Sequence, residues 1–228
     1  MLVIVVDRVE PEPRAEGWDS GALARAISTI KALAAPETTE VVSLDSLKLG
    51  FEGNDLDGVT WCPLTAKIEL GELPEQLRSH PSLVIASRCD NIAAHRQEIS
   101  SKVGCEIGAG TFWLPVVVTA RGPLYAEAIA WNIDSKSYQQ PFHLSDRQRQ
   151  GVYRLARQVL GALDAPPAVY LLSLGLEAKG KDIEKIWFDR VLPFPGEPAI
   201  ASLGVQTPDL FECHWRCITG QSLRDITI

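Results

Sequence analysis

Two stretches, Phe188-Asp-Arg-Val-Leu-Pro-Phe-Pro195 and Asp209-Leu-Phe-Glu-Cys-His-Trp-Arg-Cys-Ile218, decide how this chain is read. The first completes a strand, Lys185 to Leu192, that follows another, Val169 to Leu176, across the polar turn Glu177–Glu184. The second is a helix that begins at Asp209, runs to about Cys217 and stops near Gly220. Immediately upstream lies the clearest element of all, a helix over Ser145 to Leu163. Ser145 and Gln148 form a capping box there, and Val152, Leu155, Ala156, Val159, Leu160 and Leu163 recur at helical spacing.

Further out, Trp113 to Ala120 and Leu124 to Asn132 read as adjacent strands turned by Arg121-Gly-Pro123. At the other end of the chain, Met1 to Val6 is a continuous apolar strand. A helix capped by Asp19 or Ser20 follows, with Leu23, Ile27, Ile30 and Ala34 on one face and Pro36 as its stop. Val41 to Leu44 closes a β-α-β unit of parallel-sheet type. Between these ends we expect a polar connection over 45–58, a strand from Trp61 to Ile68, and a short helix from Glu72 to His80. A strand at Leu83-Val-Ile85 comes next, and 88–111 holds a helix around Ile92–Ile99 before a glycine turn. The fold class is α/β with α+β character in the C-terminal half, divided into an N-terminal β-α-β region (1–60) and a second domain (61–228).

Composition excludes several functions. The 228 residues are 46% hydrophobic and 22% charged with a net charge of −7, an ordinary globular balance. A pI near 5.2 argues against a nucleic-acid partner, because phosphates are neutralised by clustered Lys and Arg. No apolar run reaches the roughly 18 residues needed to cross a bilayer, so no membrane insertion is expected. The opening strand is followed by Asp7 and Glu10 and does not read as a secretory signal. Five scattered cysteines, at 62, 89, 105, 213 and 217, fit reduced thiols in a cytoplasmic setting.

Cys213, His214 and Cys217 contain metal-ligand residue types. His214 nevertheless points about a quarter-turn from Cys213 and no CxxC partner exists, so they read as a buried helix face and no metal is expected. Gly104, Gly108 and Gly110 lack the Lys-Ser/Thr of a phosphate loop and read as a turn before a strand. His80, His95 and His143 stand apart, with no catalytic triad around them. Asp182, Glu184 and Asp189 read as a solvated turn, although acids on strands can hold magnesium. Trp131, Trp187 and Trp215 are assigned to the core by default.

The last third resembles the end of the ATP-grasp domain, in the branch of the carboxyaminoimidazole ribonucleotide synthetases of purine biosynthesis. That branch carries Asn-Glu-x-x-Pro-Arg-Pro-His and, later, a Phe-Glu-x-His-x-Arg helix. Pro193 and Pro195 match its prolines, and Phe211, Glu212, His214 and Arg216 match its helix. The elements upstream, from residue 113, fall in the family's order. Trp61-Cys-Pro-Leu-Thr-Ala-Lys67 resembles the strand whose lysine contacts ATP.

The resemblance implies a ligase fold in which acids on two neighbouring strands hold magnesium against nucleotide phosphates. Here the first acid falls at Ser173, the Asn-Glu pair at Asp189 and Arg190, the arginine between the prolines at Phe194 and the histidine at Gly196. A guanidinium at a metal-ligand position repels magnesium, and phenylalanine cannot meet an anion. No lysine-bearing glycine-rich lid is recognisable, and a complete ligase of this type is implied to be well over 300 residues. The expectation is therefore a degenerate, truncated ATP-grasp-like protein without catalytic residues or a cofactor. It would act by binding a protein partner or a second copy as a homodimer, with a small ligand in the old cleft as a further option. The alternative is an unusual ligase with relocated metal ligands, with Asp189, Glu177 and Glu184 as acids and Lys67 as phosphate contact.

Overall fold

The computed structural model describes residues 1–50, 58–179 and 182–228. Strand β1 (Leu2–Val6) lies at the centre of a three-stranded parallel sheet, between β2 (Thr39–Ser43) and β3 (Thr60–Pro63). An inner parallel strand is covered on both faces, which is why it is apolar without alternation. Leu2, Ile4 and Val6 pack with Leu23, Ile27 and Ile30 of α1 (Ser20–Ala34), while Val3 and Val5 pack with Leu47, Trp61 and Leu83. Asp19 is the cap of α1: its Oδ1 accepts from the N–H groups of Gly21 and Ala22 at 2.9 and 3.4 Å.

The middle of the chain departs from the sequence reading. Within the expected connection 45–58, residues Leu44–Leu49 form helix α2, capped by Ser43, while 51–57 lie outside the described residues. The strand expected to reach Ile68 ends at Pro63, and the helix expected over Glu72–His80 is two short 3-10 turns, Leu70–Glu72 and Glu75–Leu77. Leu83 to Ile85 is no strand. It lies in α3 (Pro81–Asp90), where Pro81 stands in the first turn and Leu83, Ala86 and Cys89 recur on a buried face at helical spacing. A run of three apolar residues cannot distinguish strand from helix, and the proline was the better signal. Helix α4 (Ile92–Val103) is capped by Asn91 and closed by Gly104 at φ +72, as the glycine turn required.

The C-terminal half is a seven-stranded sheet in the order β4-β10-β9-β5-β7-β8, with β6 paired to β5. Its members are β4 (Glu106–Ile107), β5 (Phe112–Thr119), β6 (Gly122–Tyr125), β7 (Ala128–Asn132), β8 (Ser137–Phe142), β9 (Ala168–Lys179) and β10 (Asp182–Leu192). The stretch Leu124–Asn132 is two strands rather than one, broken at Ala126–Glu127, and β8 carried no sequence expectation. Alternation along β9 separates two cores. Tyr170, Leu172 and Leu174 face α5 (Asp146–Ala162), whereas Val169 and Leu171 join the cluster of α6 (Leu210–Ile218). That second cluster also contains β1 and α1, so α6 is packed between the two sheets and buries Phe211, Cys213, His214, Trp215 and Cys217. Among the described residues no helix is long and apolar enough to cross a membrane.

Candidate functional site

The residues that the family pattern singles out meet at an irregularity between β9 and β10. Phe188 pairs with Leu174 and Arg190 pairs with Ser173, so Asp189 is the extra residue of a β-bulge. A bulge sets two residues against one and re-aims a side chain, and here it turns Asp189 inward to 4% exposure while Arg190 stays half-exposed. Ser173 Oγ donates to Asp189 Oδ2 at 2.8 Å. The two positions where paired acids were implied, Ser173 and Arg190, are therefore strand partners that carry a hydroxyl and a guanidinium, and the one carboxylate between them belongs to Asp189, at the Asn position of the pattern.

Three further donors reach the same carboxylate. From α4, the Arg96 guanidinium pairs with Asp189 Oδ1, and its Nε donates to the Asp189 carbonyl at 3.0 Å. The Gly110 N–H reaches Oδ2 at 3.3 Å, and so does Arg190 Nε. Burial pushes the Asp189 carboxyl up, but donation from Arg96 and Ser173, the Arg190 charge and the Gly110 N–H outweigh it and hold the group below its usual value. The glycine stretch is tight against this cluster. A Cβ on Gly110 would overlap Ser173 Oγ, and one on Gly108 would lie 2.6 Å from the Trp187 ring. Trp187 Nε1 donates to the Ala109 carbonyl at 2.7 Å and its ring covers Gly175. Segment 104–110, read from sequence as a turn before a strand, in fact carries the short strand β4 paired with β10 and forms a packing layer over the bulge.

The other sequence candidates lie elsewhere. Phe194 is buried in the core shared with β1 and α1. Lys67 pairs with Glu16 at 2.6 Å, and its N–H donates to Thr65, whose hydroxyl donates to Asp7. It belongs to the loops after β1 and β3, and among the described residues it has no contact with Ser173, Asp189 or Arg190. Glu177 is exposed opposite Lys185. The side chains of Asp182 and Glu184 lie outside the described residues, so of that acidic group only Asp189 is placed, and it is sealed rather than solvated.

Cys213, His214 and Cys217 do not converge. His214 Nδ1 accepts the Val169 N–H at 3.2 Å, Cys213 Sγ donates to the Pro208 carbonyl at 3.5 Å, and burial raises both thiols, Cys217 to about 11. Trp215 is buried and Trp187 half-buried, but Trp131 is 48% exposed, against its core assignment. Its strand lies next to the edge strand β8, and by alternation the residue shares the face of Ile129, its ring edge to face with Tyr138. Arg96 was missed altogether. It is one of two cations on a polar helix, and only the packing of α4 against β10 gives it meaning.

Several solved structures share this fold at low identity, three of them as follows. The glycinamide-RNase-transformylase T of Mycobacterium tuberculosis superposes with a TM-score of 0.65 at 16% identity, covering 98% of this chain and 80% of that one. The N5-carboxyaminoimidazole ribonucleotide synthetase of Thermotoga maritima gives 0.65 at 11%, with 98% and 77% covered. The N5-carboxyaminoimidazole synthetase of Staphylococcus aureus gives 0.71 at 9%, with 100% and 79% covered. The fold is ATP-grasp-like. No protein-family model and no curated protein matches the chain. The ATP-grasp-like architecture thus covers the three-stranded sheet as well as the C-terminal half in which its motifs were legible.

Proposed function

We propose that this ATP-grasp-like chain acts by binding and does not perform the ligase reaction. The single observation carrying this reading is the saturation of Asp189 by Arg96, Ser173, Gly110 and Arg190. Magnesium takes hard, anionic oxygen ligands, and a nucleotide's phosphates need that charge bridged. The residues at these positions do not fit such a group: one is a hydroxyl, one a guanidinium, and the Asp189 carboxylate beside them is already ion-paired. Opening it would separate Arg96 from a buried charge, a cost of several kcal/mol.

The partner in this reading is a protein or a second copy of the chain, with a small ligand near the former cleft. The net charge of −7 speaks against nucleic acid. Five free cysteines, four of them buried, support a reducing compartment and hence the cytoplasm as the place of work. The test is thermal unfolding with and without ATP and magnesium. A ligand at 100 times its dissociation constant stabilises by about 2.7 kcal/mol, so the expected result is no magnesium-dependent shift. Magnesium-dependent stabilisation by ATP together with phosphate release would overturn the proposal.

A further inference from the structure

A cavity of about 420 Å³ opens where the start of α1 meets the β7–β8 hairpin and the 3-10 turn Glu197–Ser202. This volume is within the usual range for small-molecule sites, and junctions between layers are where such sites form. Trp131 and Tyr138 line it as an aromatic pair, edge to face with centroids 5.0 Å apart, beside the apolar Ile200. Asp19, Glu197 and Lys136 supply its charges.

The two carboxylates are near each other and incompletely used. Asp19 Oδ1 caps α1, and Glu197 Oε2 accepts the Asp19 N–H at 3.3 Å. Among the described residues Asp19 Oδ2 and Glu197 Oε1 have no partner, and neither residue forms an ion pair. Burial raises the Glu197 carboxyl above its usual range; the Asp19 N–H opposes that shift and the Asp19 charge adds to it. Lys136 pairs with neither acid and stands on the hairpin turn at φ +49. A half-exposed tryptophan beside two acids that form no ion pair is an arrangement that a cation with an apolar body completes.

We propose that this cavity binds a small amphiphilic organic amine, its ammonium between Asp19 and Glu197 and its apolar body against Trp131 and Tyr138. Lys136 is the pocket's own competing cation. The site deepens the binding role proposed above and rests on it, yet Arg96, Ser173, Gly110 and Asp189 do not line it, and Arg190 acts on it only through its charge near Tyr138.

The test titrates the full chain with phenethylammonium, and with 2-phenylethanol and phenylacetate as neutral and anionic isosteres, by calorimetry and tryptophan fluorescence. The amine is expected to bind at least about tenfold more tightly than the alcohol, a difference of ~1.4 kcal/mol, and phenylacetate not at all. Glu197→Gln, which keeps the oxygen that accepts from Asp19, is expected to weaken the amine about fivefold or more, and Lys136→Ala to tighten it about two- to fivefold. Trp131→Leu, at an exposed position, should weaken the amine without lowering the melting temperature. Equal affinity for amine and alcohol, or an amine affinity indifferent to both Glu197→Gln and Lys136→Ala, overturns the proposal. Amine binding is read without nucleotide, so its failure leaves the magnesium–ATP result standing, and the reverse also holds.

Discussion

Asp189 carries its charge in a place almost closed to water, and it can do so because donors surround it. Removing the strongest of them should be expensive: Arg96→Met leaves a buried carboxylate short of its main partner and is expected to destabilise the chain by about 3 kcal/mol. Replacing both partners by neutral residues of similar shape, Arg96→Met with Asp189→Asn, should recover much of that loss, since a buried pair contributes little beyond its own desolvation. Urea midpoints of the two single variants and the double variant measure this. An additive double variant would mean that the two side chains are not energetically coupled. Asp189 and Ser173 were singled out by the resemblance to the family's strand ends, whereas the residues by themselves read Asp189 as part of a solvated turn. The guanidinium that neutralises Asp189 was not singled out, since Arg96 is 93 residues away in the chain.

At the scale of elements, the sheet edge near the bulge depends on a ring lying flat over glycine. Trp187 occupies the space that a side chain at residue 175 would need. Gly175→Ala is expected to cost about 2–3 kcal/mol by overpacking, and the cost should shrink in a Trp187→Ala background. Denaturation of the four chains in that cycle gives the coupling directly. Capped, amphipathic helices such as α1 and α5 were legible because their stop and start chemistry is local: Asp19 and Ser145 bond their own first turns. Helix α3 was misread because its apolar run is short, and β8 was passed over because Ser137–Phe142 is polar and mostly exposed. An edge strand of that kind is held by its pairing with β7, which no periodicity reports.

Over the whole molecule, the layer of α6 between two sheets buries His214 completely enough to hold its pKa down to about 3, against about 6.5 when unfolded. Burial lowers His80 and His95 in the same direction. Between the two values the unfolded chain takes up the proton and the folded chain does not, so stability is lost as pH falls below about 6.5. Half-buried Asp209 and Glu197, raised above their unfolded values, oppose this at lower pH. His214→Asn retains an acceptor for the Val169 N–H and lacks the titrating group. On lowering the pH from about 7 to about 5.5 it is expected to lose ~1 kcal/mol less stability than the parent chain, near the limit of one proton per group. Equal losses in urea unfolding would show that His214 does not set the acid limit.

Local chemistry decided much of this protein from the sequence alone: the β-α-β opening, the capped helices and the β9–β10 pair. Each depends on residues a few positions apart, where spacing translates directly into a shared face or a hydrogen bond. Tertiary structure alone decided that Arg96 meets Asp189, that Gly110 closes over Ser173, and that Trp131 stands beside Asp19 and Glu197. Those meetings join segments far apart in the chain, and only the packed sheets and helices, with the burial that holds them, bring such charges and rings within reach of one another.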